Sequence, residues 1–439
     1  MLDNPYIRRC LSAARGQDSG QSGFIRTLST VFDALAPCLA QEPQYAAAGL
    51  LEHLAQPERA AVFPVLWRDG RGQLRQNHGF FLRCSTALGP CRYDLVLRRD
   101  MDMGAAKAMA LEATLRNALA NLSFGGGLVG ADIDPAALTD AESARFCAAF
   151  MEGLFPLLPR AFSPAAWAGQ AHSRELGYLA GRHDRLAALI PGGEVSPTGE
   201  AGPMTRAQAT GYGLVYFAQC ALRRQPGVRL EGQSILIYGC NGAGPWAGEK
   251  AVRMGAQVTA IGDSGGFLYA AGGLPLDLLR AMAAQPGLPL LLWALRSPGV
   301  EFRPGPGLWD IPADVVFLCG GTVDGPAAAR LAAHRPLGVL EGALQSVRSA
   351  AEAVFTAAGS VYAPAIAAGA GGAIMASRQT GNMTRWEADR LLRAAMEKLY
   401  QTVWAESMRP GGPEELAACA RVAAVRPIAD ALLEKGCLL

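Results

Sequence analysis

A strand, a glycine-rich turn, a helix and a second strand follow one another in residues 234–264, and this succession restricts the fold more than any other feature of the sequence. The first strand runs over Ser234–Gly239, the helix over Gly244–Met254 and the second strand over Gln257–Ile261. Strand–helix–strand units joined by short glycine turns are typical of parallel sheets that bind dinucleotides. We therefore predict an α/β protein in which this part of the chain forms a Rossmann-like, dinucleotide-binding domain.

The turn between this strand and helix carries candidate cofactor-binding residues. Gly239 and Gly244 stand where the first and third glycines of the dinucleotide fingerprint belong. Asn241 occupies the second position, where asparagine can adopt a positive φ but adds a side chain. The helix N-terminus favours a pyrophosphate, and Asp263, with Ser264 beside it, is placed to accept a hydrogen bond from a ribose hydroxyl. The pattern predicts either a nucleotide site or a dinucleotide fold that has lost its cofactor.

The length of 439 residues predicts two domains, because a single hydrophobic core of that size is unusual. A segment rich in Gly, Pro, Ser and Thr at 192–203 is the expected crossing between them. We place a substrate-type and oligomerisation domain at 1–200, completed by helices of 376–439, and the Rossmann-like domain at 201–375. The net charge of +2 gives no electrostatic case for binding nucleic acid or an anionic membrane.

The sequence begins without a charged leader followed by an apolar run, and it has no apolar stretch of about 20 residues, so we expect a cytoplasmic protein without a membrane span. The ten cysteines have no metal-binding spacing and are expected to be buried thiols, with no metal site.

Further elements follow from the periodicity of apolar residues. The first 60 residues read as helices punctuated by Pro37 and Pro43, two strands flank an Asp69-Gly70 turn, and Met103–Leu122 reads as a helix. Later strands are predicted at Leu290–Trp293, Val315–Cys319, Gly338–Leu340 and Val361–Ala363.

Three consecutive glycines, Gly125, Gly126 and Gly127, follow the Met103–Leu122 helix pattern. Glycines of this kind let the backbone adopt positive φ and approach a ligand closely. We therefore predict that they form the floor of a small-molecule site.

Several motifs resemble those of the hexameric glutamate dehydrogenases, within the Glu/Leu/Phe/Val dehydrogenase superfamily. They extend over nearly the whole chain: Ala87-Leu88-Gly89-Pro90, Gly125-Gly126-Gly127, Asp132-x-Asp134-Pro135, Arg174-Glu175-x-Gly177, Ala209-Thr210-Gly211-Tyr212-Gly213, Glu341-Gly342-Ala343 and Ala370-Gly371-Gly372. The resemblance implies a two-domain α/β architecture, NADP or NAD as cofactor with Thr210 among the residues that bind it, and a homohexamer. Co-assembly with an active paralogue is a further expectation.

The chain departs from this family where the resemblance places the reacting groups. The catalytic lysine position is Leu128, and the catalytic aspartate position is Trp167 or Ala168. The substrate-binding lysines have become Arg92 and Arg116, a glycine of the family has become Asp94, and the substrate serine has become Ala376. The candidate cleft residues are Arg92, Asp94, Arg116, Gly126, Gly127, Leu128, Trp167 and His172.

These replacements favour a function other than glutamate oxidation. Arginine does not exchange protons near neutral pH and leucine has none to exchange, but Arg92 and Arg116 can hold a carboxylate or phosphate through bidentate contacts. His172 is either a new acid or base, or a loop residue. We predict a pseudoenzyme with a small-molecule-binding, regulatory or scaffolding role. The alternative is a repurposed biosynthetic enzyme, an NAD(P)-dependent oxidoreductase acting on an amino or 2-oxo acid.

Overall fold

Two β-sheets organise the chain in the computed structural model. One sheet has five strands in the order β1-β2-β4-β3-β5, and the other has seven in the order β12-β11-β10-β6-β7-β8-β9. The structure describes residues 4–158, 168–169, 173–189, 203–347, 349–378 and 383–435.

The N-terminal lobe contains the five-stranded sheet, with helix α5 on one face and α6 and α7 on the other. Its helices are α1 (Pro5–Gln17), α2 (Ser22–Gln41), α3 (Pro43–Ala47), α4 (Leu50–Ala55), α5 (Met103–Leu119), α6 (Asp140–Leu154) and α7 (Ser173–Ala187). Its strands are β1 (Arg59–Arg68), β2 (Leu74–Ser85), β3 (Cys91–Leu97), β4 (Gly125–Ala131) and β5 (Ala168–Gly169). Strand β2 pairs antiparallel with β1 and β4, whereas β3 is parallel to β4 and β5.

The second lobe contains the seven-stranded sheet, and its strands from β12 to β7 are parallel. Its strands are β6 (Ser234–Tyr238), β7 (Gln257–Asp263), β8 (Gly266–Tyr269), β9 (Glu301–Pro304), β10 (Val315–Leu318), β11 (Gly338–Glu341) and β12 (Val361–Ala363). Its helices are α8 (Arg206–Leu222), α9 (Ala243–Arg253), α10 (Leu276–Ala284), α11 (Leu290–Leu295), α12 (Gly325–Ala333) and α13 (Ser349–Ala357). The predicted α/β class and the Rossmann-like unit around β6, α9 and β7 are confirmed.

Four helices complete the fold: α14 (Ala365–Ala368), α15 (Gly371–Ala376), α16 (Arg385–Ser407) and α17 (Leu416–Glu434). Helix α17 packs against α2 and α5, so the end of the described chain returns to the N-terminal lobe. The boundaries placed near residues 200 and 376 stay predictions. None of the described helices combines the length and the apolar character that a membrane span requires.

Three local predictions are wrong. The expected strand at Leu290–Trp293 is helix α11, which begins directly after Pro289; a short apolar run fits a buried strand and a buried helix equally well. Pro37 does not separate two helices but lies inside α2. Helix α5 ends at Leu119 rather than at Leu122, because the chain turns at Asn121 with a φ of 53°.

Candidate functional site

The three consecutive glycines form the start of β4, and their role is internal packing. All three are buried, and none of them has a positive φ, so the expectation that these glycines use a positive φ is wrong. A Cβ atom on Gly126 would lie 2.3 Å from the backbone nitrogen of Thr114 in α5, and one on Gly125 would lie 1.9 Å from the carbonyl oxygen of Ser85. The glycines therefore let helix α5 and strand β2 approach β4 closely. That they contact a small molecule stays a prediction.

The register between β3 and β4 brings four candidate cleft positions together. Arg92 lies opposite Gly126, and Asp94 lies opposite Leu128. Side chains two residues apart in a strand point to the same face, and here this face is covered by α5. Leu128 is fully buried in the apolar core on this face, so the position to which the resemblance assigns the catalytic lysine holds a core side chain.

Asp94 and Arg116 form a buried bidentate ion pair across this face. Nη1 of Arg116 donates to Oδ2 of Asp94 at 2.7 Å, and Nη2 donates to Oδ1 at 3.0 Å. Both side chains are at most 7% exposed. The fork that we expected Arg116 to offer to a ligand is thus occupied by a carboxylate of the chain itself.

A second arginine, Arg206 at the start of α8, reaches the same carboxylate. Its Nη2 lies 3.4 Å from Oδ1 of Asp94, whereas its Nη1 is buried and has no hydrogen-bond partner in the described structure. Burial lowers the pKa of Arg206 to about 10; Asp94 opposes this shift, while Arg116 and Arg92 add to it. The guanidinium therefore stays charged at neutral pH.

The residue that the sequence reasoning missed is Arg206. Its signal was its position at the first turn of a helix, three residues before the Ala-Thr-Gly-Tyr-Gly motif, immediately after the capping residue Thr205. Three arginines surround one aspartate at this place, so the local charge is positive and favours an anion.

Arg92 connects strand β3 to the end of helix α15. Its Nη1 donates to the carbonyl oxygen of Ala376 at 2.8 Å, and its guanidinium lies 4.1 Å from the ring centroid of Phe124. Burial lowers the pKa of Arg92. The resemblance assigns the substrate-binding lysine and serine to Arg92 and Ala376, and in this chain these two positions contact each other directly.

The resemblance assigns the catalytic aspartate to Trp167 or Ala168, and Ala168 lies in β5. Ala168 lies opposite Asp94 in the parallel pairing of β5 with β3, so the site assembled around Asp94 extends to this strand. Trp167 and His172, the other candidates from this segment, lie outside the described residues.

The predicted nucleotide turn has the glycine conformations expected of a dinucleotide fingerprint, but Asn241 does not adopt the positive φ considered for it. Gly239 and Gly242 have φ of 114° and 64°, whereas Asn241 does not have a positive φ. Oδ1 of Asn241 instead accepts a hydrogen bond from the backbone N–H of Gly287 at 2.8 Å. A Cβ atom on Gly244 would lie 1.8 Å from the carbonyl oxygen of Gly239, so helix α9 can start this close to β6 only with glycine there. The turn therefore fits the phosphates of a dinucleotide at the start of α9.

The side chains at the end of β7 are partly engaged by neighbouring groups. Oδ1 of Asp263 accepts from the backbone N–H of Gly265 at 2.8 Å, and Oδ2 accepts from the thiol of Cys240 at 3.1 Å. Ser264 is exposed beside it. Thr210 donates its hydroxyl to the carbonyl oxygen of Arg206 within α8. Because each carboxylate oxygen has a second lone pair, Asp263 retains the capacity to accept a ribose hydroxyl.

Comparisons with known proteins cover nearly the whole chain. The profile of the "Glutamate/Leucine/Phenylalanine/Valine dehydrogenase" family matches residues 202–436, and that of the "Glu/Leu/Phe/Val dehydrogenase, dimerisation domain" matches residues 57–182. The NADP-specific glutamate dehydrogenase of Escherichia coli is 30% identical over 99% of this chain and 100% of its own length. The NAD(P)-specific enzyme of Xylanibacter ruminicola is 29% identical over 95% and 96% of the two chains.

Solved structures give the same result. A glutamate dehydrogenase structure superposes with a TM-score of 0.86 at 26% identity, covering 99% of this chain and 100% of the other. The glutamate dehydrogenase of Plasmodium falciparum superposes with a TM-score of 0.86 at 25% identity, covering 99% and 95% of the two chains.

Proposed function

This chain belongs to the Glu/Leu/Phe/Val dehydrogenase family, and we propose that it is a glutamate-dehydrogenase-like pseudoenzyme that binds a small anion in a ligand-binding, regulatory or scaffolding role. The observation that carries the proposal is the burial of Leu128 in the apolar core beside Asp94. The resemblance assigns the catalytic lysine to this position, and a buried leucine supplies neither a positive charge nor a proton.

The groups around Leu128 do not replace the missing lysine. Arg116 uses both terminal nitrogens on Asp94, and a guanidinium does not act as an acid or base near neutral pH. Removing one general acid or base typically costs about 10² to 10⁴ in rate. The resemblance implies the loss of at least two such groups, the lysine at Leu128 and the aspartate at Trp167 or Ala168, and we propose that the described residues of this cleft supply no other proton-transfer route for oxidative deamination.

An anion is the ligand that the remaining charges favour. Nη1 of Arg206 is buried and unpaired in the part of the chain that the structure describes, and Arg92 and Arg116 are its cationic neighbours. A carboxylate or a phosphate would supply the missing acceptor to Arg206 through a charge-assisted hydrogen bond. Asp94 compensates only part of this positive charge.

A second candidate function is favoured by the nucleotide turn. Gly239, Gly242 and Gly244 would hold the phosphates of NADP or NAD, which are the cofactors that the names of the relatives give, and Asp263 would bind a ribose. The nicotinamide cofactor supplies hydride transfer when bound. On this alternative the chain is a repurposed NAD(P)-dependent oxidoreductase of a biosynthetic pathway, acting on an amino or 2-oxo acid.

The assembly that we propose is a homo-oligomer, as the match of residues 57–182 to a dimerisation domain supports. By resemblance it is a homohexamer, and co-assembly with an active paralogue is a further proposal. We also propose the division into 1–200 with 376–439 and 201–375.

A direct assay tests whether glutamate oxidation is lost. Absorbance at 340 nm is followed with glutamate plus NAD or NADP, and in reverse with 2-oxoglutarate, ammonium and the reduced cofactors, using the Escherichia coli NADP-specific enzyme as positive control. We expect no turnover above the blank. A rate within a factor of 10⁴ of the control would contradict the pseudoenzyme proposal, because the loss of two proton-transfer groups costs at least about that much.

Binding is measured separately by thermal shift with glutamate, 2-oxoglutarate or inorganic phosphate as the probe. We expect at least one of the three to stabilise the protein, and Arg206→Met to remove that shift. The matched control is Arg303→Met, because Arg303 is half-exposed and paired with Glu301. The anion proposal fails if none of the probes stabilises the wild type, or if Arg206→Met leaves the shift unchanged.

A further inference from the structure

A polar cavity of about 250 Å³ lies where the two lobes meet, away from the Asp94 cluster. Helices α2 and α5 of the N-terminal lobe form one side of it, and the residues after β11 and β12 of the second lobe form the other. Three glutamates line this space: Glu112 from α5, Glu341 from the end of β11, and Glu352 from α13, which is paired with Arg421.

Gln345 links the lobes across this cavity. Its Nε2 donates to Oε1 of Glu112 at 2.6 Å and lies 3.4 Å from Oγ1 of Thr27 in α2. Gln345 adopts a φ of 58°, a left-handed conformation that is uncommon for a residue with a side chain. Such a conformation persists only where surrounding contacts hold it, and here the hydrogen bond to Glu112 is one of them.

Neither Glu112 nor Glu341 forms an ion pair with a cation among the residues that the structure describes. Oε2 of Glu112 is buried and has no hydrogen-bond partner among the residues that the structure describes. Glu341 is 5% exposed, and its Oε2 accepts from the backbone N–H of Ala365 at 2.9 Å. Two arginines act on the charge of Glu112, and both are engaged elsewhere. Arg421 is in a bidentate pair with Glu352, at 2.7 and 2.6 Å, and Arg116 is in the bidentate pair with Asp94.

The other charged and titratable groups around the cavity make contacts of their own or lie at its rim. Arg98 pairs with Asp100, and Asp102 caps α5 through the backbone N–H of Ala105. Arg26 lines the rim from α2. Besides Glu112 and Glu341, the charged and titratable residues that line the cavity are Arg26, Arg98, Asp100, Asp102, Glu352, Tyr362 and Arg421.

We propose that Glu112, Gln345 and Glu341 form a proton-controlled latch that holds the two lobes together while the glutamates are neutral and releases them when both are ionised. Ionisation places two like charges in one poorly solvated cavity, and both are relieved when the junction opens and water enters. The proposal is independent of the proposed function, because it rests on contacts of the lobe junction.

The shifts of the two glutamates agree with this geometry. Burial raises the pKa of Glu112 to about 7, with Gln345 and Arg421 opposing the shift. Burial, and next the charge of Glu112, raise the pKa of Glu341 to about 8. Closure is therefore favoured below the usual glutamate pKa of about 4.5 and weakens as pH rises through 7 to 8.

Hydrogen exchange measured by mass spectrometry on the full chain between pH 6 and pH 9, corrected for the intrinsic rate at each pH, tests the latch. A shift of Glu112 from 4.5 to about 7 permits a change of up to about 300-fold in the opening equilibrium. We expect protection of residues 105–116 and 341–347 to fall at least 10-fold over this range. Protection of β6 (Ser234–Tyr238), remote from the junction, should stay constant, which separates opening from unfolding.

Variants assign the effect to its groups. The pair Glu112→Gln and Glu341→Gln should hold protection at the junction constant within two-fold from pH 6 to pH 9. Glu397→Gln, an exposed carboxylate on α16, should keep the wild-type response. Should the double variant not fold, Gln345→Met should lower protection at pH 6 towards the wild-type value at pH 9. The proposal is refuted if the wild type shows no pH response, or if the response is unchanged in the variant measured.

Discussion

Replacing Asp94 by asparagine is the most informative single change, because it removes one negative charge from a cluster of three arginines and keeps the side-chain shape. The wild-type carboxylate accepts two hydrogen bonds from Arg116, at 2.7 and 3.0 Å, and lies 3.4 Å from Arg206. At an effective dielectric constant of 20, two unit charges 4 Å apart interact by about 4 kcal/mol. Breaking a buried pair by removing one partner costs about 3 to 5 kcal/mol, since the other charge stays buried and uncompensated. We therefore expect Asp94→Asn to lower the free energy of unfolding by about 3 to 5 kcal/mol.

Urea unfolding followed by circular dichroism measures this loss, and the chain contains a matched control. Asp310 also pairs with an arginine, Arg330, through two hydrogen bonds, but the two side chains are 61% and 40% exposed. Exposed pairs contribute about 0 to 1 kcal/mol, so Asp310→Asn should remain within about 1 kcal/mol of the wild type. A loss below about 1 kcal/mol for Asp94→Asn, or one equal to that of the control, would refute the view that Asp94 is the internal counter-ion of the cluster.

Three further changes test other parts of the structure. Gly126→Ala should lower the free energy of unfolding by about 3 kcal/mol and lower the melting temperature, because the new Cβ would lie 2.3 Å from the backbone nitrogen of Thr114. Its control, Gly177→Ala, has nothing within 4 Å of the new Cβ and should raise the free energy of unfolding by up to about 1 kcal/mol. Burial raises the pKa of Glu341 to about 8, so the stability that this group contributes should be complete below about pH 4.5 and be lost as the pH rises to about 8. In urea titrations, Glu341→Gln should make the free energy of unfolding depend less steeply on pH in this range, and an unchanged dependence would contradict the prediction. Thr384→Ala removes the capping box of α16 and should cost about 1 kcal/mol in the same titration, whereas a neutral result would show that the cap contributes nothing.

Five of the seven strands of the second lobe could be predicted because their apolar runs are bounded by turn residues, whereas β8 and β9 were not predicted. The interpretation of residues 234–264 depends only on local features, a buried strand and a helix that starts at Gly244, and the structure reproduces it. Val315–Cys319 and Val361–Ala363 were predicted on the same grounds and correspond to β10 and β12. The strand predicted at Leu290–Trp293 is a helix. A short apolar run fits either structure, and here tertiary packing decides between them.

The candidate site was less predictable because its residues meet through the tertiary fold. The run that contains Gly126 was predicted to form the floor of a ligand site because glycine permits a positive φ. In the structure Gly126 instead lets α5 pack closely against β4, and the sequence alone does not indicate which helix covers that strand. Arg206 lies far from Asp94 in the chain, and only the placement of α8 beside β3 brings them together. The contact between Glu112 and Gln345 joins two lobes, so no local pattern indicates it.

Two of the replacements relative to the family, Asp94 and Arg116, contact each other in the structure. The resemblance puts a glycine at the position of Asp94 and a lysine at the position of Arg116, and the structure pairs the two replacements in a buried bidentate contact. A buried aspartate without a cation is strongly unfavourable, and so is a second arginine beside Arg206 without an anion. Each replacement is therefore tolerated because the other is present, and their effects on stability should be strongly non-additive. Once this pair is in place, the guanidinium of Arg116 contacts an internal carboxylate at the position where the resemblance places a substrate-binding lysine.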